Sequence, residues 1–306
     1  MLATLYRAAA ACALSLCIAL TAAAQESDAF TPDRLTGTLK KIKDSGVIRL
    51  GYRENSAPFA FSDPRGQPVG YSIDLCNAIV EEVIDELGGA EIRVEYQVVT
   101  PENRFSVLLA GEIDLECGST TDNLERRKQV AFSPTIFVTG TKLLVRRDSP
   151  IKSVRDVQSR TVAVTRGTTN ATAMQRLSDK QRLGMTFVTG ADHKEAFELF
   201  AAGKAEALAN DDVLLYGLLA ETKSGAQYRV ISDFLSYDPY GLMYRKDDPQ
   251  FAQAVERTFR RLAESRELVW IYDRWFLKRL PSGVRLNLPI SPQLQELFRV
   301  LGLPAD

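Results

Sequence analysis

Histidine is almost missing from this chain: His193 is the single one in 306 residues. A zinc site built on two or three imidazoles is therefore excluded, and no H-E-x-x-H segment occurs. Neither G-x-x-x-x-G-K-[ST] nor G-x-G-x-x-G is present, so the phosphate-cradling loops of nucleotide-binding proteins are lacking. No G-x-S-x-G elbow offers a hydrolytic serine. Positive charge is not in excess: 38 Lys plus Arg face 39 Asp plus Glu, a net charge of -1. Nucleic acid is not an expected partner, because phosphate backbones call for a basic surface. Beyond the N-terminus, no apolar run approaches the roughly 18 residues of a membrane-spanning helix.

The N-terminus itself is apolar in a different way. Residues 1–24 read as an export signal, with Arg7 as the positive region. The run from 8 to 23 is apolar apart from Ser15 and Thr21, and Ala22-Ala23-Ala24 forms an A-x-A type cleavage site before Gln25. Removal of 24 residues from 306 leaves 282, with 37 basic against 39 acidic side chains. It also removes Cys12 and Cys17, leaving Cys76 and Cys117. An exported chain with two cysteines can hold one disulfide or two buried thiols. Two sulfurs do not make a metal centre, and no metal or cofactor is expected. The expected location is the periplasm.

The remaining length suits two lobes better than one core. A β-rich segment at 47–52 is followed by a Pro/Gly-punctuated loop at 55–68. Leu75, Ile79, Val80, Val83, Ile84 and Leu87 then recur at helical spacing, with Asp74 as a candidate cap. Strands at 92–98 and 113–117 flank a short helix at 102–110, and a polar turn is predicted at 118–123. This is an open parallel α/β unit. The β-rich run at 136–145 carries the chain into a second series, with strands at 162–164, 185–188, 207–209 and 228–231. A strand at 240–245 and two amphipathic helices then return it. Crossovers near 138 and 236 predict one discontinuous lobe (25–138 plus 236–306), a second lobe (139–235) and a cleft between them. Such a cleft closes on small ligands by hinge motion.

The conspicuous polar residues lie at turns and helix starts. Ser119-Thr120-Thr121 precedes Arg126 and Arg127, and Thr168-Thr169 precedes a helix. Hydroxyls and free N–H groups at a helix start suit an anion, and an arginine fork pairs with carboxylate. Arg53 ends the first strand and Arg104 opens a short helix. His193 and Asp211-Asp212 also fall at helix starts, where capping is the ordinary role. Asp114 and Glu116, two apart on a strand, share a face and read more readily as salt-bridge partners than as an acid/base pair.

Gly51-Tyr52-Arg53-Glu54-Asn55, Gly70-Tyr71-Ser72-Ile73-Asp74 and above all Glu116-Cys117-Gly118-Ser119-Thr120-Thr121-Asp122-Asn123 resemble the family 3 solute-binding proteins of ABC importers, in the glutamate/aspartate-binding group. The likeness runs from about residue 38 to 298. It continues through Arg166-Gly167-Thr168-Thr169, Ala191-Asp192-His193, Asn210-Asp211-Asp212 and Tyr240-Gly241. It implies the type II periplasmic binding protein fold, two α/β lobes joined by two hinge strands. It also implies a monomer that clamps L-glutamate or L-aspartate and hands it to membrane permease subunits. By this resemblance Arg126 meets the α-carboxylate, assisted by Ser119, Thr121, Thr168 and Thr169. Asp211 or Asp212 takes the α-ammonium. Arg53 and Arg104 face the side-chain carboxylate, with His193 beside them. Arg127, next to Arg126, is an alternative inward guanidinium. The chain departs from an enterobacterial member of the group, which has serine in place of Cys76 and cysteine in place of Leu242. Cys117 is therefore expected to bond Cys76. Two other readings use the same cleft: an enzyme acting on a small carboxylate, and a soluble sensor for a membrane receptor.

Overall fold

The computed structural model describes residues 35–231 and 233–305; the expected export signal lies outside the described residues. Helix α1 (Gly37–Ser45) leads into β1 (Val47–Tyr52). The predicted loop after it instead holds a small antiparallel sheet, β2 (Asn55–Ser56), β3 (Ala60–Ser62) and β4 (Pro68–Val69). Helix α2 (Tyr71–Glu86) begins behind Gly70, so Asp74 lies in its first turn rather than at its cap. The Asp74 carboxylate is used elsewhere, accepting hydrogen bonds from Trp275 and Arg274.

The chain continues through β5 (Arg93–Val98), α3 (Arg104–Leu109), β6 (Leu115–Thr121), α4 (Leu124–Arg127), β7 (Val130–Phe132) and β8 (Phe137–Thr139). Strands β5 and β6 both pair with β1 in parallel, as βαβ crossovers require. The segment predicted as a turn after residue 117 is strand up to Thr121, buried along its whole length. A polar sequence sits there because both its faces are covered and its hydroxyls find partners, which sequence polarity alone does not reveal.

A second sheet is built from β9 (Thr141–Arg146), β10 (Thr161–Thr165), β11 (Thr186–Gly190), β12 (Ala207–Asp211) and β13 (Tyr228–Val230), in the order β11-β10-β12-β9-β13. Its helices are α5 (Thr169–Gln181), α6 (His193–Ala201) and α7 (Asp212–Glu221). Val145, Val162, Val164, Met174 and Ala209 fill one face of this sheet, and Leu144, Phe197, Phe200, Leu208 and Leu215 the other. Strand β14 (Asp238–Arg245) then re-enters the first sheet antiparallel to β6, β7 and β8. Helices α8 (Pro249–Glu264) and α9 (Glu267–Phe276) pack beside α2, and α10 (Pro292–Val300) lies near the chain end. Asp248 caps α8 and Pro249 opens it, a pairing suited to a helix N-terminus. No described helix is long and apolar enough to cross a membrane.

Two adjacent chain passages connect the sheets. Thr139 and Phe137 of β8 pair with Asp238 and Tyr240 of β14. Just beyond, the Thr141 N–H donates to Ser236 Oγ at 2.9 Å, and the Leu235 N–H donates to the Thr141 carbonyl at 2.9 Å. An aromatic cluster anchors these passages. Phe137 packs 4.9 Å from Phe276 and 5.2 Å from Phe59, and Tyr240 lies 5.1 Å from Phe59. These ring contacts hold Tyr240 buried beside the two passages.

Candidate functional site

Most of the residues singled out by sequence come together where the two sheets face each other, while Arg126 lines a neighbouring groove with Thr168 and Thr169. Arg53, Arg104, Ser119 and Thr121 from one side, and Thr168, Thr169, Asn170, His193, Asp211 and Leu214 from the other, line a tight chamber with a cavity volume of about 10 Å³. The walls touch directly. Thr121 Oγ1 and Thr169 Oγ1 are 3.2 Å apart, Asn55 Nδ2 donates to Asp192 Oδ2 at 2.8 Å, and Arg166 lies 3.4 Å from Glu102. A larger groove beside Tyr216, Tyr228 and Val284 holds none of the buried unpaired polar atoms discussed below.

Each side chain is delivered by its element. Arg53 follows β1, and its Nη2 donates to Ser119 Oγ. Its Nε lies 3.8 Å from Glu116 Oε1, and Thr120 Oγ1 donates to Glu116 Oε2 at 2.6 Å. These groups crowd the backbone at residue 118. A Cβ on Gly118 would stand 2.2 Å from Glu116 Oε1 and 2.9 Å from Arg53 Nε, so any larger residue would displace this pair. Asp114 is held apart from Glu116 by its own cations, Lys41 and Arg245, each 2.8 Å away. The two carboxylates are ion-pair groups, not a couple.

Arg126 and Arg127 part company. Asn123 caps the short helix α4, and Arg126 turns back so that Nη1 donates to the Thr121 carbonyl at 2.7 Å. Arg127 faces outward and pairs with Asp122. The two aspartates also separate. Asp211 is buried; Tyr240 Oη donates to its Oδ2 and Asn170 Nδ2 to its Oδ1 at 2.8 Å. Asp212 stands outside the chamber, taking a hydrogen bond from Thr139 Oγ1 at 2.7 Å and lying 3.4 Å from Lys142. Thr168 does cap α5, accepting from the Ala171 N–H at 3.2 Å, while also lining the chamber.

Sequence reasoning passed over Asn170, Leu214 and Tyr240. Tyr240 stood inside a recognised segment, but nothing local indicates that a tyrosine on a returning strand reaches an aspartate 29 residues earlier.

Burial dominates the electrostatics. It disfavours the charged forms of Arg53, Arg104 and Arg126, and the three guanidiniums repel one another. Burial beside Arg53 and Arg104 also holds the His193 imidazole neutral, well below its usual range. Burial and the nearby Asp238 push Asp211 up to about 7, against the hydrogen bonds from Tyr240 and Asn170. Several buried donors have no hydrogen-bond partner: Arg104 Nε and Nη1, His193 Nε2, and Arg53 Nε, which is only within ion-pair range of Glu116. Buried unpaired donors are costly and rare, so a cluster of them marks a place built for an acceptor. Three guanidiniums lie among the buried carboxyls of Glu116, Asp211 and Asp238, and the unpaired N–H groups of Arg104 and His193 remain open to an acceptor.

Disulfide Cys76–Cys117 joins α2 to β6, with a Cα–Cα distance of 6.1 Å. Ser72 Oγ of the same helix donates to the Gly118 carbonyl at 2.7 Å. Together they clamp the strand that carries Ser119 and Thr121.

Residues 48–278 match the family described as bacterial extracellular solute-binding proteins, family 3. The chain is 40% identical over 269 residues to the L-glutamate/L-aspartate-binding protein of Pseudomonas aeruginosa, covering 87% of this chain and 89% of the relative. It is 38% identical over 285 residues to the glutamate/aspartate import solute-binding protein of Escherichia coli, covering 93% and 94%. Among solved structures, a mutant arginine-binding protein from T. maritima superposes with TM-score 0.70 at 26% identity, over 78% of this chain and 99% of that one. An ancestral amino-acid-binding protein, a precursor of cyclohexadienyl dehydratase, does so with TM-score 0.67 at 27% identity, covering 78% and 99%.

Proposed function

Because the chain belongs to the bacterial extracellular solute-binding proteins of family 3, we propose that it captures L-glutamate or L-aspartate in the periplasm and delivers it to the permease subunits of an ABC importer. It is a binding protein, not an enzyme. Residues 1–24 serve as its export signal. The segments 25–138 plus 236–306 and 139–235 act as the two closing lobes.

The cluster of buried, unpartnered donors on Arg53, Arg104 and His193 in one chamber with Asp211 carries this reading. A neutral side chain would leave the desolvated Arg104 guanidinium without an anion, a penalty of several kcal/mol. Arg53, Arg104 and His193 receive the side-chain carboxylate. Arg126, with Ser119, Thr121, Thr168 and Thr169, receives the α-carboxylate. Asp211, held by Tyr240 and Asn170, receives the α-ammonium. Asp212 is left to the hinge.

Titration calorimetry tests the assignment. Glutamate and aspartate are expected to bind at least about 100-fold tighter than glutamine and asparagine, since an amide cannot satisfy guanidinium forks. Equal affinities for acids and amides would refute it. The pH dependence has a definite sign. Without ligand the Asp211 carboxyl holds its proton up to about 7. An ammonium requires the ionised form, so binding below that pH must expel the proton. Affinity should therefore fall as pH drops below about 7, by up to about tenfold per unit, with proton release seen in buffers of different ionisation enthalpy. Asp211→Asn should remove the proton release along with most of the affinity. For the ligand-free fold the sign is opposite. The folded carboxyl keeps its proton longer than the unfolded one, so this group lowers stability as pH rises from about 4 to 7.

Lobe contact can be tested apart from chemistry. A Cβ on Gly217 of α7 would meet the Ala57 carbonyl oxygen, on the other side of the cleft, at 1.9 Å. Gly217→Ala should prop the lobes apart. Affinity should fall about tenfold or more, since closure and binding are linked. Small-angle scattering of the liganded variant should show a larger radius of gyration, with little change in Tm. Wild-type affinity in this variant would mean that closure does not bring these surfaces together.

A further inference from the structure

His193 enters the chamber with one ring nitrogen spoken for and the other bare. Nδ1 lies 3.1 Å from Asn210 Nδ2 and 3.0 Å from Thr165 Oγ1, whereas Nε2 is buried with no partner. Which nitrogen carries the proton follows from Asn210. The Asp211 backbone N–H donates to Asn210 Oδ1 at 2.9 Å. A backbone N–H is an obligate donor, so it fixes which end of the Asn210 amide is oxygen. The NH2 end must then face His193. An amide NH2 is also an obligate donor, so Nδ1 must accept. In a neutral ring that leaves the proton on Nε2, aimed at the chamber.

We propose that Asn210 is a positioning residue that locks His193 in the Nε2–H form, and that this lock completes a wall of donors which rejects carboxamide side chains. The inference rests on the acidic-ligand reading above and extends it to a residue that does not line the chamber. Arg53 and Arg104 offer only N–H groups, since guanidinium has no acceptor. A carboxylate accepts from all three side chains. A carboxamide must bring its own NH2 toward one of them, leaving donor against donor. If the ring could move its proton to Nδ1, Nε2 would become an acceptor and accommodate that NH2. Thr165 does not prevent this, because a hydroxyl can donate or accept. Asn210 does.

The lone histidine makes the test direct. In full-length mature protein labelled with 15N-histidine, every imidazole signal belongs to His193. Near neutral pH the ligand-free spectrum should show Nδ1 as an unprotonated ring nitrogen and Nε2 as N–H. Thr165→Val should preserve that pattern. Asn210→Leu should shift it toward protonated Nδ1, and should narrow the glutamine-to-glutamate Kd ratio about tenfold or more. A wild-type ring protonated on Nδ1, or on both nitrogens, overturns the lock, even if Asn210→Leu fails to fold. So does a Leu variant with the wild-type spectrum. A shifted tautomer with an unchanged Kd ratio overturns the link to specificity. If the wild-type tautomer is as stated but glutamate and aspartate do not bind, the ligand assignment fails while the lock stands.

Discussion

Arg104→Met is expected to destroy binding of acidic amino acids while making the ligand-free protein more stable. The Arg104 side chain is fully buried, with Nε and Nη1 unpaired and Arg53 and Arg126 as like-charged neighbours. Its aliphatic stem and the Phe105 ring, 5.5 Å from the guanidinium carbon, form a setting that methionine fills about as well. Removing the charge relieves desolvation and repulsion together. Replacing poorly compensated buried charge by an apolar side chain stabilises by about 1–3 kcal/mol, or a few degrees in Tm. The loss in affinity should be on the order of 1,000-fold, because the ligand's buried side-chain carboxylate then loses, of Arg53 and Arg104, the guanidinium not already paired with a protein carboxylate. Calorimetric scans without ligand, paired with titrations of glutamate and glutamine, measure both. A fall in Tm with glutamate affinity retained would mean that Arg104 serves the fold and not the ligand.

Loss of the disulfide should have the largest effect on stability. Cys76 and Cys117 are separated by 41 residues in sequence. Closing a loop of that size removes about 4 kcal/mol of denatured-state freedom in the chain-entropy description. The double change Cys76→Ala/Cys117→Ala should therefore lower Tm by about 8–12 °C, taking about 2–3 °C per kcal/mol for a chain of this size. Affinity should fall much less. Glycine-118 backbone and helix α2 remain tied through Ser72, so the strand bearing Ser119 and Thr121 keeps its place in the folded state. A Tm within about 2 °C of wild type would show that the bond constrains little that packing does not already hold.

The local course of the chain was readable where the periodicity was clean. Helix α8 shows its buried face in the spacing of Phe251, Val255, Phe259 and Leu262, whereas its start at Asp248-Pro249 came from the structure. The strands β1, β5 and β10 were readable from β-rich runs between glycine and polar breaks. The extension of β6 through Ser119-Thr120-Thr121 was not, because a polar run reads as a turn unless its covering partners are known. The small sheet β2-β3-β4 was hidden by its two- and three-residue strands. Arg126 and Arg127 are chemically identical neighbours. Only the Asn123 cap and the turn of α4 decide which one folds back. The same is true of Asp211 and Asp212, at the junction of β12 and α7, where adjacent side chains leave in different directions.

The scarcity of histidine first excluded a class of metal sites and said nothing more. Composition, signal-like N-terminus and residue order are properties of the chain as a string, and they determined its class, its two α/β series and its candidate polar residues. The role of the single histidine depends on something a string does not contain. Its tautomer is set by an amide whose orientation is set by a backbone N–H, and its bare nitrogen matters because two arginines from distant segments lie beside it. Hydrogen-bond direction and burial are relations between groups brought together from 140 residues apart, and only the tertiary structure decides them.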